Sequence, residues 1–121
     1  MSLPDLSISS LFSVAGKTVV VTGGSRGLGE MIAAGFLANG ARVVISSRKA
    51  AACDATAARL SETYGAECRS VPADLSTMEG VDVLASALAD EPKIDVLVNN
   101  AGASWGASLE DFPEAGWDKV M

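Results

Sequence analysis

The residues best suited to chemistry sit in one short run, Thr22-Gly23-Gly24-Ser25-Arg26-Gly27-Leu28-Gly29. Glycines at this spacing let a backbone turn tightly enough for N–H groups to converge on an anion such as a pyrophosphate. A β-carbon at Gly23 or Gly27 would hold that anion off, and one at Gly29 would push the following helix from its sheet. Taken alone, such a run is equally an ordinary glycine-rich turn. Its place in the chain decides otherwise. Apolar Thr18-Val19-Val20-Val21-Thr22 precedes it, and an amphipathic stretch carrying Leu28, Ile32 and Phe36 on one side follows.

A second group of polar residues, Ser46-Ser47-Arg48, closes the next β-branched run, Arg42-Val43-Val44-Ile45-Ser46. A methyltransferase or an NAD-type nucleotide domain would carry an acidic residue there, to bind ribose hydroxyls. A guanidinium in place of a carboxylate suits the extra 2′-phosphate of NADP. The P-loop alternative fails because it needs Gly-Lys-Ser/Thr, and this run ends Gly27-Leu28-Gly29-Glu30. Without these neighbours, Arg26 and Arg48 read as solvated surface charges, and Asp74 as a turn or helix cap.

The elements that must position these groups alternate. Asn39-Gly40 stops the first helix, and the second places Cys53, Ala57, Leu60 and Tyr64 on one face before Gly65 ends it. Glu67 to Val71 predicts a third strand. Ser76 and Glu79 have the spacing of a capping box, opening a helix that buries Val81, Leu84, Ala85 and Leu88. Ile94-Asp95-Val96-Leu97-Val98 predicts a fourth strand, and Pro113 opens a last helix bearing Trp117, Val120 and Met121. Such alternation demands crossovers and a parallel sheet covered on both faces. The expected fold is therefore α/β, a Rossmann-like doubly wound parallel sheet, partial, with four strands of a larger sheet. Residues 1–16 read as a polar, irregular N-terminal extension, poorly anchored over about the first ten. Residues 17–121 read as an incomplete NADP-binding domain, cut within the helix after strand four.

Composition narrows the function. A chain of 121 residues suits one domain, and 49% hydrophobic with 20% charged residues is a globular balance. Nine Lys and Arg against fifteen Asp and Glu, a formal charge of −6, argue against nucleic acid or an anionic membrane as partner. There is no histidine, and Cys53 and Cys68 form no CxxC pair. Those facts argue against a zinc site and against a His-dependent hydrolase centre. Two sparse thiols fit a reducing, cytoplasmic compartment, and the start lacks the pattern of a signal peptide.

Three features taken together carry a resemblance. Thr22, Gly23, Gly27 and Gly29 match Thr-Gly-x-x-x-Gly-x-Gly; Asn99-Asn100-Ala101-Gly102 matches Asn-Asn-Ala-Gly after a fourth strand; Asp74 follows the third. From about Leu11 to Met121 the sequence resembles the short-chain dehydrogenase/reductase family. The resemblance implies NADPH-dependent reduction of a small-molecule carbonyl substrate by hydride transfer, in a homo-oligomer. It implies that Gly23, Ser25, Arg26, Gly27, Leu28 and Gly29 receive the pyrophosphate and adenosine ribose. Arg26 and Arg48 would flank the 2′-phosphate, with Ser47 donating to it. Asp74 would accept from the adenine amino group, with Leu75 beside the ring. Asn100, Ala101 and Gly102 would run along the ribose, and Asn99 would tie neighbouring strands.

The family's catalytic Ser and Tyr-x-x-x-Lys, assisted by an Asn on the helix after strand four, find no match. The only tyrosine is Tyr64, and four residues on stands Cys68. No catalytic residue is assigned, and the isolated chain is expected to be inactive, as part of a protein roughly twice as long. Trp105, Phe112, Trp117 and Met121 are expected to pack against the rest. The stretch from Ala103 to Glu110, with Gly116 to Met121, resembles the 3-oxoacyl (β-ketoacyl) reductase branch, of the rhamnolipid-synthesis type. Two other readings stay open: a non-catalytic NADP-binding or redox-sensing module, and an interaction fragment that pairs through an exposed sheet edge.

Overall fold

The computed structural model describes residues 2–121. Strands β1 (Thr18–Thr22) and β2 (Arg42–Ser46) form where the sequence predicts, because branched apolar side chains suit a sheet covered on both faces. The outer strands are shorter than predicted: β3 spans Cys68–Ser70 and β4 Val96–Val98. Each has one neighbour, β2 for β3 and β1 for β4. The residues beyond them make single ladder bonds instead, from Val43 N to Glu67 O, Val71 N to Ile45 O and Asp95 N to Thr18 O.

All pairings are parallel and the order is β3-β2-β1-β4. The chain steps outward from β1 to β3, then returns to lay β4 on the other side of β1. Connections therefore diverge between β1 and β4, which opens a crevice at their carboxyl ends. The doubly wound α/β architecture expected from the sequence is present.

Helices α2 (Gly27–Ala38) and α3 (Ala50–Tyr64) cover one face, packing Ala33, Leu37, Cys53, Ala57 and Leu60 onto Val19, Val21, Val43 and Ile45. Helix α4 (Met78–Leu88) covers the other, setting Leu84 against Val20, Val44, Val71 and Ala73. The short helices α1 (Ile8–Leu11) and α5 (Glu114–Val120) lie near the two ends of the chain. Among the described residues no helix is long and apolar enough to cross a membrane.

Local expectations need correction at several points. The inward side of α2 is Gly29, Ala33 and Leu37, whereas Ile32 and Phe36 are half-buried and Leu28 is 70% exposed. Gly29 sets this rotation, because its backbone lies so close to the Gly23 carbonyl that a β-carbon would overlap it. Residues four and eight further on then face inward too.

On α3, Thr56 joins the buried set and Tyr64 lies exposed in the last turn, which Gly65 closes in the left-handed region at φ 57°. The cap of α4 is Thr77, whose Oγ1 accepts from Gly80 N at 3.0 Å, rather than Ser76 with Glu79. Ser76 is engaged by Asp74 instead. The later start turns Gly80 and Leu84 inward, half-buries Leu88 and leaves Val81 and Ala85 exposed. Finally, the extension is not wholly irregular: Ser7 caps the single turn of α1, accepting from Ser10 N.

Candidate nucleotide-binding site

Because the strands are parallel, the loops after β1, β2, β3 and β4 all emerge at one edge of the sheet. Every residue singled out from the sequence lies on those loops or on the first turn of α2. Gly23 and Gly27 adopt φ of 63° and 59°, conformations that L side chains rarely take. Above Gly27 a β-carbon would meet nothing within 4 Å, so the turn is open on that side. Gly24, outside the expected set, is required for a different reason. Its backbone touches the Ile45 side chain, and a β-carbon would stand 2.8 Å from it.

The loops after β1 and β4 are locked to each other. Asn100 Nδ2 donates to the carbonyls of Thr22 and Gly23, both at 3.2 Å. Thr22 Oγ1 donates to Val98 O and accepts from the backbone N–H of Asn100 and Ala101 at 3.1 and 3.0 Å. That hydroxyl has used its one donor and both acceptor positions. The strand tie expected of Asn99 is thus made by Asn100 together with Thr22, while Asn99 is exposed. Thr22 is the first position of the glycine motif matched in the sequence, and the fold adds its bonds to the loop after β4.

On the β2 side, Arg26 and Arg48 are exposed and form no ion pair among the described residues. The hydroxyls of Ser46 and Ser47 are buried without a hydrogen-bond partner. Among the described residues the Ser47 hydroxyl thus has both its donor and its acceptor capacity unused.

After β3, Asp74 Oδ1 accepts from Ser76 N at 3.0 Å and Ser76 Oγ at 2.6 Å. Those two bonds, with a contribution from the Arg48 charge, hold the Asp74 carboxyl below its ordinary value. It stays ionised and acceptor-only, and the bonds described leave Oδ2 free for an N–H donor. Leu75 is half-buried against the core beneath. Ala73 N donates to Ser47 O at 3.0 Å, which joins this loop to the one carrying Arg48.

The structure therefore gathers a left-handed glycine turn, two unpaired guanidinium groups, an orphaned hydroxyl and an ionised carboxylate along one sheet edge. Their donors and charges fit a dinucleotide with an additional phosphate. A cavity of about 700 Å³ lies elsewhere, lined by Ile8, Phe12, Val14, Ile32, Phe36 and Asn39 along the far half of α2. It mixes apolar side chains with Ser9, Ser13 and Asn39, and holds none of these groups.

The short chain dehydrogenase family model matches residues 17–121. The chain belongs to that family. This short-chain dehydrogenase is 57% identical over 111 residues to the rhamnolipids biosynthesis 3-oxoacyl-[acyl-carrier-protein] reductase of Pseudomonas aeruginosa, covering 91% of the chain and 43% of that protein. It is 37% identical over 122 residues to gluconate 5-dehydrogenase of Gluconobacter oxydans, covering 100% of the chain and 45% of that protein. The Pseudomonas aeruginosa RhlG/NADP active-site complex superposes with a TM-score of 0.84 at 55% identity, over 90% of the chain and 42% of that structure. L-sorbose reductase from Gluconobacter frateurii, solved with NADPH and L-sorbose, gives 0.80 at 34% identity, over 88% and 41%. The short-chain dehydrogenase chain spans less than half the length of these relatives.

Proposed function

We propose that this chain is the coenzyme-binding half of an NADPH-dependent carbonyl reductase. The observation that carries the reading is the junction after β2, where the unpaired Arg48 and the orphaned Ser47 hydroxyl stand in place of a carboxylate. The glycine turn from Gly23 to Gly29 holds the pyrophosphate. Arg26, Ser47 and Arg48 hold the 2′-phosphate, Asp74 takes the adenine amino group, and Asn100 to Gly102 run along the ribose. Bound here, NADPH supplies a hydride to a carbonyl carbon. A 3-oxoacyl substrate is favoured by the identity to the Pseudomonas aeruginosa reductase.

The chain supplies no proton donor for that step. Tyr64 ends α3, which runs back from the carboxyl edge of the sheet, so its side chain sits at the wrong end. The chain alone is inactive in this reading. Exposed Trp117 and Val120 on α5, the adjoining Met121 and the free edge of β4 support burial against the further strands and helices of a longer protein. Two free thiols favour a cytoplasmic setting.

Calorimetry with NADP and NAD on the parent, Ser47→Asp and Arg48→Ala tests the coenzyme reading. The parent should prefer NADP by about tenfold to a few hundredfold, since each exposed charge-assisted bond contributes roughly a decade. Ser47→Asp should reverse the preference, because its carboxylate repels a phosphate and accepts from ribose hydroxyls. Equal affinity in the parent, or full NADP binding in Arg48→Ala, would sink it.

A further inference from the structure

Thr56 is a buried hydroxyl in the second turn of α3. A helical threonine commonly gives its one proton to a carbonyl of its own preceding turn. Thr56 Oγ1 instead donates out of the helix, to the Ser25 carbonyl in the glycine turn at 2.8 Å. Arg59 NH2 donates to the same hydroxyl oxygen at 3.4 Å, and its NH1 pairs with Glu30 on α2. Both faces of the hydroxyl are therefore engaged, one by each element it joins. The turn has one other anchor on this side, Gly24 N to Ser46 O at 3.2 Å.

The placement matters because of what flanks it. Ser25 directly precedes Arg26, and α3 begins two residues after Arg48. Thr56 thus ties the backbone that carries one free guanidinium to the helix that follows the other. We propose that Thr56 is a positioning residue for coenzyme selection, fixing the gap between Arg26 and Arg48 that a 2′-phosphate must bridge. The proposal rests on the NADP reading of this site. It predicts a selective defect: NAD has no 2′-phosphate, so a change in that gap weakens NADP alone.

Thr56→Val keeps the shape and removes the hydroxyl, Thr56→Ser keeps the hydroxyl, and Arg48→Ala serves as the control for the site. NADP and NAD dissociation constants are measured for each, at low and high salt, beside a thermal melt. For Thr56→Val, the NADP constant should rise about fivefold, as expected for one neutral hydrogen bond, while the NAD constant stays within about twofold. The salt dependence of NADP binding should flatten, and Thr56→Ser should restore both. An equal loss for both coenzymes, or an unchanged ratio, overturns the proposal and leaves Thr56 a packing residue. If Arg48→Ala collapses the ratio and Thr56→Val does not, the site stands and only the positioning role falls. If Arg48→Ala leaves the ratio intact, the coenzyme reading falls and takes this proposal with it. Should Thr56→Val fail to fold, Thr56→Ala carries the test, because it removes the same hydroxyl without placing a branched side chain in the helix. An unchanged ratio there overturns the proposal equally.

Discussion

Arg42 begins β2 and Arg48 follows its end, and their surroundings are opposite. Arg42 is bound through Nε to Glu67 and through NH1 to Glu91 at 3.3 Å, with a further bond to Thr18 Oγ1 at 3.4 Å. Arg69 on β3 adds to Glu91 at 3.4 Å and to Asp90 at 3.5 Å, so the amino edge of the sheet is laced with ion pairs. The Glu67 hydrogen bond, then its charge and that of Glu91, raise the Arg42 pKa further. Arg48, at the carboxyl edge, has no such partner among the described residues. On the proposed reading, charge that serves the fold is paired within it, whereas charge that would meet the coenzyme makes no ion pair among the described residues. The two edges should therefore respond to substitution in different currencies, stability at one and binding at the other.

The largest effects should come from two glycines of the same turn. Gly29→Ala would drive its β-carbon into the Gly23 carbonyl and clash with Asn100, so α2 must move off the sheet. A loss of about 3 kcal/mol or more in stability is expected, with coenzyme binding abolished. Gly27→Ala meets no protein atom within 4 Å and suffers only its positive φ of 59°. That costs about 1–2 kcal/mol. The fold should persist in Gly27→Ala while coenzyme binding falls sharply. Urea unfolding and calorimetry on the pair check this, and normal NADP binding by Gly27→Ala would show that no phosphate lies over that turn.

A smaller contrast separates Arg42→Met from Arg48→Met. The Glu91 side chain is only 6% exposed, so removing Arg42 leaves it with Arg69 alone. After allowing for screening around the half-exposed Arg42, a loss of roughly 1–2 kcal/mol is expected. Arg48→Met should stay within about 0.5 kcal/mol and weaken NADP instead. Denaturation midpoints that rank the two variants the other way would break the distinction between the edges.

How much of this was legible in the sequence follows from range. β1 and β2 were readable to the residue because both are fully covered, and their apolar runs end at glycine or serine turns. β3 and β4 were overextended because a single neighbour leaves their ends without a second ladder, which no local pattern reveals. The α2 face was misread because Leu28, Ile32 and Phe36 have good helical spacing. The true orientation is fixed by one backbone contact, Gly29 against Gly23, that only the fold creates. The loop residues of the candidate site were readable as motif positions. Thr22 and Thr56 act through bonds to residues far along the chain, and Asn100 took the role expected of its neighbour. Such pairings depend on strand order, which spacing does not encode.

The smallest expected effect concerns acid stability, and it compares two aspartates. Asp95, at the amino edge, accepts from Thr18 N at 2.9 Å and pairs with Lys93 at 3.0 Å, and these hold its carboxyl below the ordinary value. Asp74, at the carboxyl edge, is lowered by Ser76 and by Arg48. A carboxyl whose folded pKa is depressed binds fewer protons folded than unfolded as pH falls toward about 4. Its stabilising contribution is therefore complete above the unfolded value and disappears as pH falls through the lowered folded one. Asp95→Asn and Asp74→Asn should each flatten the decline in stability below about pH 5 by a small amount, since both groups are near solvent. The difference appears on adding coenzyme. Asp95→Asn should bind NADP as the parent does, because Thr18 and Lys93 lie at the far end of the strands. Asp74→Asn should bind it more weakly at neutral pH, having exchanged an ionised acceptor for a neutral amide. Melting curves from pH 3 to pH 7, with and without NADP, read both effects. A coenzyme-induced rise in melting temperature that is equal in both variants would remove Asp74 from the binding site.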